Sequence, residues 1–332
     1  MGSAMGADLT PPPLARDFLD QHGWAGAQIV PLAGDASFRR YFRVAGAGRQ
    51  AILMDAPPPH EDPRPFIAIA EWLRARNFGA PAILAQAADA GLVLIEDFGD
   101  ERMREAIDAG AAPLPLYRTA VDVLLDLHGH APAPVPDYDR AVLHREAALL
   151  TEWYCPTLGI AADAAGYAAA WDAVFDAAIA PRPVTVLRDY HAENLMLLPG
   201  GRQGLLDFQD ALAGHPAYDL VSLLQDARRD VEPAIEAAML AHYRAASGSG
   251  DDFDAAYHIL GAQRNAKIVG IFTRLWRRDG KPRYPGLCPR VWRYLNHDLA
   301  HPALAPVRAW FDANIPMALR GDPMQLVQAA AQ

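Results

Sequence analysis

The sequence predicts an α+β protein with two lobes, a small β-rich N-terminal lobe and a larger, mainly helical C-terminal lobe. Strand-like apolar runs concentrate before residue 97, whereas helical apolar spacing dominates after it. At 332 residues the chain is long enough to bury a sizeable core in each lobe. We expect lobes at 7–96 and 97–332, and we set residues 1–6 aside as a cloning scar.

Composition narrows the class of protein. Apolar residues are 52% and charged residues 21% of the chain, which is typical of a globular protein. The net charge of −10 argues against nucleic acid as the main partner. Cys155 and Cys288 have no metal or disulfide spacing, which favours a reducing compartment. No apolar run approaches membrane-spanning length, so we expect no membrane partner.

The N-terminal lobe begins with strand-like runs at 28–32, 39–44 and 50–55. The first two flank a loop of small residues that includes Gly34, Asp35 and Ser37. Backbone N–H groups in such a loop can approach phosphates, so these three residues are candidate nucleotide ligands. A plain hairpin turn is the alternative.

A fourth run, 92–95, has the composition of a buried strand and ends in Glu96, Asp97, Phe98 and Gly99. A strand that ends in glycine and acids is typical of a hinge between lobes. Its free backbone groups are candidates to pair with the edge of an adenine ring. We therefore assign Glu96 and Phe98 to the nucleotide site, although a strand that ends in a polar turn gives the same pattern.

Helical spacing predicts the remaining elements, and proline clusters separate several of them. The predicted helices are 8–23, 65–76, 116–130, 140–154, 161–179, 217–229 and 253–278, with further helix in the tail from 289 to 319.

The stretch with most chemical content lies between the helices. Asp189 and Asn194 precede a predicted strand at 195–198, and Asp207 ends a second one at 204–206. A hairpin of this kind is expected to bring the three side chains to one mouth. The pattern is typical of kinase-type phosphoryl transfer: Asp189 takes the acceptor's hydroxyl proton, and Asn194 and Asp207 hold Mg²⁺ on the ATP phosphates. A solvated turn is the alternative.

These residues carry a family resemblance. Arg188-Asp189 with Asn194 resembles the catalytic loop of the aminoglycoside phosphotransferase and choline kinase superfamily, and Asp207 resembles its metal-binding Asp. Asp219 resembles its structural acid, and the stretch around Glu96 is similar to its hinge. The resemblance covers roughly Ile29 to Leu224. It implies a bilobal protein-kinase-like fold, with Arg188 and Asp189 as the catalytic pair.

A narrower resemblance extends over nearly the whole chain. The stretches Gly34–Val44, Met54–Pro58, Gly270–Leu275 and Arg278–Lys281 are similar to bacterial anomeric sugar kinases, which phosphorylate N-acetylmuramate and N-acetylglucosamine at C1 during cell-wall recycling. This resemblance implies ATP, Mg²⁺, a sugar substrate and a cytoplasmic location. It leaves the oligomeric state open.

The sequence departs from the usual kinase pattern at the third strand. Kinase folds usually carry a Lys there that pairs with a helix Glu, but Met54 occupies the place and no Lys precedes Lys267. The role of Glu71 is therefore in doubt. An Arg such as Arg39, Arg40 or Arg43 is expected to meet the phosphates, and we assign Arg40 to the nucleotide site. A nucleotide-binding pseudokinase is the alternative from another class.

The acceptor side has a basic character that bears on the substrate. Between Arg264 and Arg293 the only acid is Asp279, which suits an anionic or neutral sugar better than a polycationic aminoglycoside. An aminoglycoside phosphotransferase nevertheless remains the first rival. Arg264 lies on the apolar stripe of a predicted helix, where a lone charge is costly, so its partner is either a buried acid or a substrate carboxylate. Arg274 and His191 are the other candidate substrate contacts.

Overall fold

The computed structural model describes residues 10–32, 38–250 and 252–331, so the predicted scar at 1–6 lies outside the described residues. The chain divides into two compact units. The first contains Met1–Ala112 and Ala192–Ala211, and the second contains Pro113–His191 and Leu212–Gln332. None of the helices in the described part of the chain is long and apolar enough to cross a membrane.

The first unit is built on a five-stranded antiparallel sheet with the strand order β1-β2-β3-β5-β4. Strand β3 lies between β2 and β5, and its residues from Ala51 to Asp55 are all buried. The strands are β1 Gln28–Pro31, β2 Arg40–Gly46, β3 Arg49–Asp55, β4 Ile83–Ala87 and β5 Leu92–Glu96.

Alternate residues of the sheet form the core of this unit with the first helix, α1 (Ala15–Gln21). Phe42, Val44, Leu53 and Leu94 are buried against α1, as expected for strands whose side chains alternate between two faces. Two further helices complete the unit, α2 (Arg64–Arg74) and α3 (Met103–Asp108). The predicted helix at 8–23 is thus shorter than expected, since the chain only enters helical geometry after the prolines at 11–13.

A hairpin of β7 (Leu195–Leu198) and β8 (Arg202–Leu205) belongs to the same unit. The N–H of Leu197 donates to the carbonyl of Glu101, and Arg104 forms an ion pair with Glu193. These contacts join the segment after β5 to the hairpin. The boundary predicted at residue 96 therefore lies inside the first unit, whose first segment continues to Ala112.

The second unit is mainly helical, with one short two-stranded sheet of β6 (Val184–Val186) and β9 (Leu212–Gly214). Its central element is the long helix α10, which packs against α5, α8 and α11. The helices are α4 Pro113–His128, α5 Arg140–Ala147, α6 Cys155–Thr157, α7 Ala164–Asp172, α8 Ala217–Leu224, α9 Pro233–Ser247, α10 Asp252–Arg277, α11 Cys288–Leu299, α12 Ala305–Asn314 and α13 Pro323–Ala330.

Close packing of α10 accompanies a break in one predicted helix. The helix expected at 140–154 ends at Ala147 and is followed by a π-helical turn, Leu150–Tyr154. Gly270 of α10 lies against this break, because a Cβ at Gly270 would lie 2.3 Å from the backbone of Leu149. The predicted helices at 161–179 and 217–229 also end early, at Asp172 and Leu224.

Candidate active site

The backbone that leads into Asp189 is held in an uncommon conformation. Arg188 has φ of 70°, in the left-handed region that non-glycine residues rarely adopt. The fully buried carboxylate of Asp219, on α8, accepts the N–H groups of Leu187 at 2.7 Å and Arg188 at 2.9 Å. Such a strained turn persists only where its surroundings over-determine it, and such turns cluster at active sites.

The carboxyl group of Asp219 has a pKa well above that of an ordinary aspartate. Burial raises the pKa of Asp219 to about 7, although its two N–H bonds and the nearby Arg264 act in the opposite direction. The negative charge of Asp189 also contributes to the raised pKa. Asp219 thus holds the backbone of this turn, and the role of structural acid that the family resemblance implies stays a prediction.

The side chain of Arg188 is anchored in a buried charge cluster that the sequence did not reveal. Glu146 of α5 accepts hydrogen bonds from Arg188 and from Tyr138, and it pairs with Lys267 of α10 at 2.9 Å. Burial acts to raise the pKa of Glu146, but Lys267 and Arg188 outweigh it and hold the pKa below its usual value. The side chain of Arg188 therefore anchors this turn to Glu146, in addition to the bonds that its backbone makes.

His191 and Arg264 are both buried and lie close to this loop. Burial, with Arg228 and Arg264 nearby, holds the pKa of His191 well below its ordinary value, so the imidazole is neutral. Arg228 Nη1 donates to His191 Nε2 at 3.1 Å. Arg264 Nη2 donates to Ser222 Oγ at 2.8 Å, and its side chain is only 4% exposed. Arg264 was predicted to pair with a buried acid or a substrate carboxylate; its hydrogen-bond partner is instead the hydroxyl of Ser222, and the buried acid Asp219 only lies near its charge.

Arg274, the remaining candidate substrate contact, lies ten residues after Arg264 on α10 and is half-buried. Burial and the neighbouring Arg278 lower its pKa. Other cations of the basic stretch are engaged internally. Arg290 and Arg293 both pair with Asp230, at 3.0 and 2.5 Å. The basic stretch is therefore not one open cationic surface. Its charge is then only weak evidence against an aminoglycoside as the substrate.

The residues predicted to hold metal lie in the first unit, Asn194 just before β7 and Asp207 just after β8, so both are at the open end of this hairpin. Asn194 Nδ2 lies 3.5 Å from Asp207 Oδ2, and the N–H of Leu206 donates to the carbonyl of Asn194 at 3.0 Å. Asp207 has φ of 59° and is exposed. The next residue, Phe208, is fully buried and stacks on Phe66 of α2, with ring centroids 5.0 Å apart. The buried ring fixes the backbone that presents Asp207.

The donor set at this point suits magnesium. Carboxylate and carboxamide oxygens are the hard ligands that Mg²⁺ prefers. An amide's oxygen and nitrogen are exchanged by a half-turn of the side-chain end, so Asn194 can present its oxygen toward Asp207. The amide of Gln209 donates to both Asp207 and Asp210, at 2.9 and 3.1 Å, and so orients the carboxylate.

The segment after β5, predicted as a hinge, lines part of a cavity of about 590 Å³ in the first unit through Glu96, Asp97, Phe98 and Gly99. The carboxylate of Glu96 accepts the N–H of Ala82 at 3.1 Å, so the side chain is engaged within the sheet. The ring of Phe98 packs against Gly204, where an added Cβ would lie 2.8 Å from it. Both residues predicted for the nucleotide site thus lie at this cavity.

The three arginines considered for the phosphates have acidic partners within the first unit. Arg40 pairs with Asp55 at 2.6 Å, and Arg39 with Glu61 at 3.6 Å. Arg43 pairs with two hinge acids, Asp97 at 2.7 Å and Asp100 at 2.8 Å. Arg43 therefore ties β2 to the hinge, a role that the sequence did not indicate.

The third-strand position is occupied as the sequence indicated. Met54 is fully buried, opposite Tyr41 in the register of β2 and β3, and Glu71 of α2 is exposed. Burial raises the pKa of Tyr41 to about 12, with Asp207 and Glu61 adding to the rise and Arg39 opposing it. The loop that contains Gly34, Asp35 and Ser37 lies outside the described residues.

Sheet topology, the strained turn at Arg188 and the residues at Asn194 and Asp207 define a protein-kinase-like α+β protein. The model of the phosphotransferase enzyme family matches residues 28–257. The chain is 40% identical to an N-acetylmuramate/N-acetylglucosamine kinase of Caulobacter vibrioides, over 91% of this chain and 96% of that one. It is also 40% identical to a protein of the same name from Pseudomonas aeruginosa, over 85% of this chain and 88% of the other.

Solved structures agree on the fold. A choline/ethanolamine kinase family protein from Mesorhizobium loti superposes with a TM-score of 0.60 over 86% of this chain and 94% of that one, at 16% identity. At this identity the likeness shows the fold alone. The chain belongs to the phosphotransferase enzyme family, which confirms the family, the fold class and the enzyme class predicted from the sequence.

Proposed function

We propose that this protein is an ATP-dependent sugar kinase that transfers the γ-phosphoryl group to the anomeric hydroxyl of N-acetylmuramate and N-acetylglucosamine. The proposal places it in the cytoplasm, in the recycling of cell-wall sugars. The observation that supports this proposal is the turn at Arg188, which directly precedes Asp189 and whose backbone is held by hydrogen bonds to the buried Asp219. The names of the relatives at 40% identity support the choice of sugar.

Asp189 is the proposed general base. It is half-buried, and its own N–H donates to the carbonyl of Leu187 at 2.9 Å, which fixes the start of its side chain. In this role it orients the acceptor hydroxyl and takes its proton as the phosphoryl group is transferred. Arg188 supports the same turn through Glu146.

Asn194 and Asp207 are the proposed ligands of Mg²⁺ bound with ATP. When bound, the ion neutralises charge on the transferring phosphoryl group. The carboxylate of Asp207 provides a full negative charge for the ion, and the stacked Phe208 holds that residue in place. The hinge segment with Glu96 and Phe98 is the proposed site of the adenine ring, and the loop with Gly34, Asp35 and Ser37 remains a proposal for the phosphates.

Arg40 also remains a proposal as a phosphate contact, and its pairing with Asp55 indicates how its position would be kept. Arg274 and His191 are proposed to lie on the acceptor side. Because His191 is neutral and buried, its role there is to hold Arg228 rather than to carry charge.

A screen of acceptors tests the proposal. Purified protein with ATP and Mg²⁺ is offered N-acetylmuramate, N-acetylglucosamine and kanamycin, and ADP formation is measured. We expect turnover with both sugars and none with kanamycin, and we expect Asp189→Asn to lower kcat by about 10²–10⁴-fold. Turnover with kanamycin alone would favour the aminoglycoside alternative. ATP binding without turnover on any acceptor would favour the pseudokinase.

A further inference from the structure

Three backbone groups of Leu187 and Arg188 are bonded to a single helix. The N–H groups of Leu187 and Arg188 donate to Asp219, and the carbonyl of Arg188 accepts from Ser222 Oγ at 3.0 Å. Asp219 and Ser222 are three residues apart on α8, so they lie on the same face of the helix. The carbonyl of Arg188 belongs to the peptide group that enters Asp189. Ser222 therefore holds that peptide at its oxygen, while the carbonyl of Leu187 holds it at nitrogen.

Arg264 sets the direction of this hydrogen-bond chain. An arginine has donors and no acceptor, so Ser222 Oγ must accept from Arg264 Nη2 at 2.8 Å. The serine proton is then committed to the carbonyl of Arg188. A charged donor at the head of the chain strengthens both bonds. Ser222 is fully buried and Arg264 is 4% exposed, so water does not substitute for either group.

The other guanidinium nitrogen of Arg264 bears on how this residue acts. Nη1 is buried and has no hydrogen-bond partner within residues 10–32, 38–250 and 252–331. A buried, unsatisfied donor is costly, and such groups in folded proteins call for an explanation beyond stability. The guanidinium is buried and its Nη2 bonds the hydroxyl that holds the carbonyl of Arg188, so Arg264 is placed to act on the backbone of this turn.

We propose that Arg264 is a positioning residue for Asp189, acting through Ser222 on the carbonyl of Arg188. The inference rests on the proposed role of Asp189 as general base. It assigns the Arg264–Ser222 pair to the phosphoryl-transfer step and not to sugar or nucleotide binding. The chain of bonds fixes the strained peptide at Arg188, and so fixes the direction from which the carboxylate of Asp189 meets the acceptor hydroxyl.

Steady-state kinetics with N-acetylglucosamine and ATP test the proposal. The variants are Ser222→Ala, Arg264→Met and the double variant. We expect each to lower kcat about tenfold, with KM for both substrates changed less than about twofold. The double variant should be no worse than Arg264→Met, because both changes break one chain. Arg264→Lys keeps a charged donor and should recover part of kcat.

Thr273→Val is the matched control. Thr273 is fully buried on the same helix as Arg264, and its hydroxyl donates to the carbonyl of Val269 at 2.8 Å. The substitution removes a buried hydroxyl that bonds the backbone of its own helix and not the turn at Arg188, so kcat should be unchanged. All rates are scaled to the folded fraction from urea unfolding. Should Arg264→Met fail to fold, Ser222→Ala and Arg264→Lys carry the test.

The result that would overturn the proposal is an unchanged kcat in Ser222→Ala, or a rise in the sugar KM with kcat intact. The second outcome would make Arg264 a substrate contact. Asp189→Asn separates this inference from the proposed function. If that variant is inactive while Ser222→Ala is normal, only the positioning role fails. If it keeps normal turnover, the proposed function fails first.

Discussion

Replacing Glu146 with Gln should destabilise the protein far more than the loss of an ordinary ion pair. The carboxylate of Glu146 is 9% exposed and serves Arg188 and Lys267, whose side chains are 19% and 13% exposed. Glutamine has nearly the same shape but no charge, so two buried cations would lose their shared counter-ion. Removing one partner of a buried pair costs about 3–5 kcal/mol, which is a large part of the stability of a typical protein.

Urea unfolding at pH 7 measures this loss. Arg278→Gln is the matched control, because the Arg278 side chain is 56% exposed in its pair with Asp279 and its loss should cost at most about 1 kcal/mol. Adding Lys267→Met to Glu146→Gln removes one orphaned cation and should recover about 1–2 kcal/mol.

The pH dependence of the same loss provides a check on its cause. The pKa of Glu146 lies below its ordinary value of 4.5, because Lys267 and Arg188 outweigh the effect of burial. A lowered carboxyl pKa contributes stability above the ordinary pKa that is lost as the pH falls through the folded one. The difference between the wild type and Glu146→Gln should therefore shrink at acidic pH. If Glu146→Gln costs no more than the control at pH 7, the buried cluster does not exist as described.

Three further predictions concern other parts of the molecule. Burial raises the pKa of Asp219 to about 7, so between about pH 4 and this value the folded state holds a proton there that the unfolded state has lost. Relative to Asp219→Asn, the free energy of unfolding of the wild type should therefore fall with rising pH in this range, by up to about 1.4 kcal/mol per pH unit. Urea unfolding measures this fall. Gly79→Ala should cost about 1–3 kcal/mol in thermal unfolding, since the new Cβ would lie 2.1 Å from the carbonyl oxygen of Gln203; a neutral effect would contradict this packing. Calorimetric titration of ATP with and without Mg²⁺ should show a greater loss of magnesium-dependent affinity for Asp207→Ala than for Asn194→Ala, since only the first removes a full charge; equal, small effects would remove both from the metal site.

Local sequence patterns predicted the parts of the fold that depend on local chemistry. Strand-like apolar runs located β1, β2, β3 and β5, and helical spacing located α2, α4 and α10. Strand β4 and the pair β6 and β9 were missed because they are short, and β6 and β9 also pair with each other across the stretch of chain that contains β7 and β8. The helix break after Ala147 was missed for a similar reason, since it lies against Gly270, far along the chain.

The candidate site divides in the same way. The stretch from Arg188 to Asn194 was evident from its residue types and spacing, and Asp219 from its resemblance to a structural acid. Glu146 was not, because one acid in a predicted helix gives no sign of its partners. Ser222 carried a weak signal, since it follows Asp219 at helical spacing. Arg264 was noticed as a charge on an apolar stripe, but only the structure shows that its partner is Ser222.

The position of the phosphoryl group on the product tests whether the protein phosphorylates the anomeric hydroxyl of the sugar. Phosphorus NMR of the product from N-acetylmuramate, ATP and the wild-type protein reports which proton couples to phosphorus. We expect a single phosphate ester coupled to the anomeric proton, and we expect it to be absent from the Asp189→Asn reaction. A phosphate ester at another hydroxyl of the sugar, or no sugar phosphate with either acceptor sugar, would contradict it.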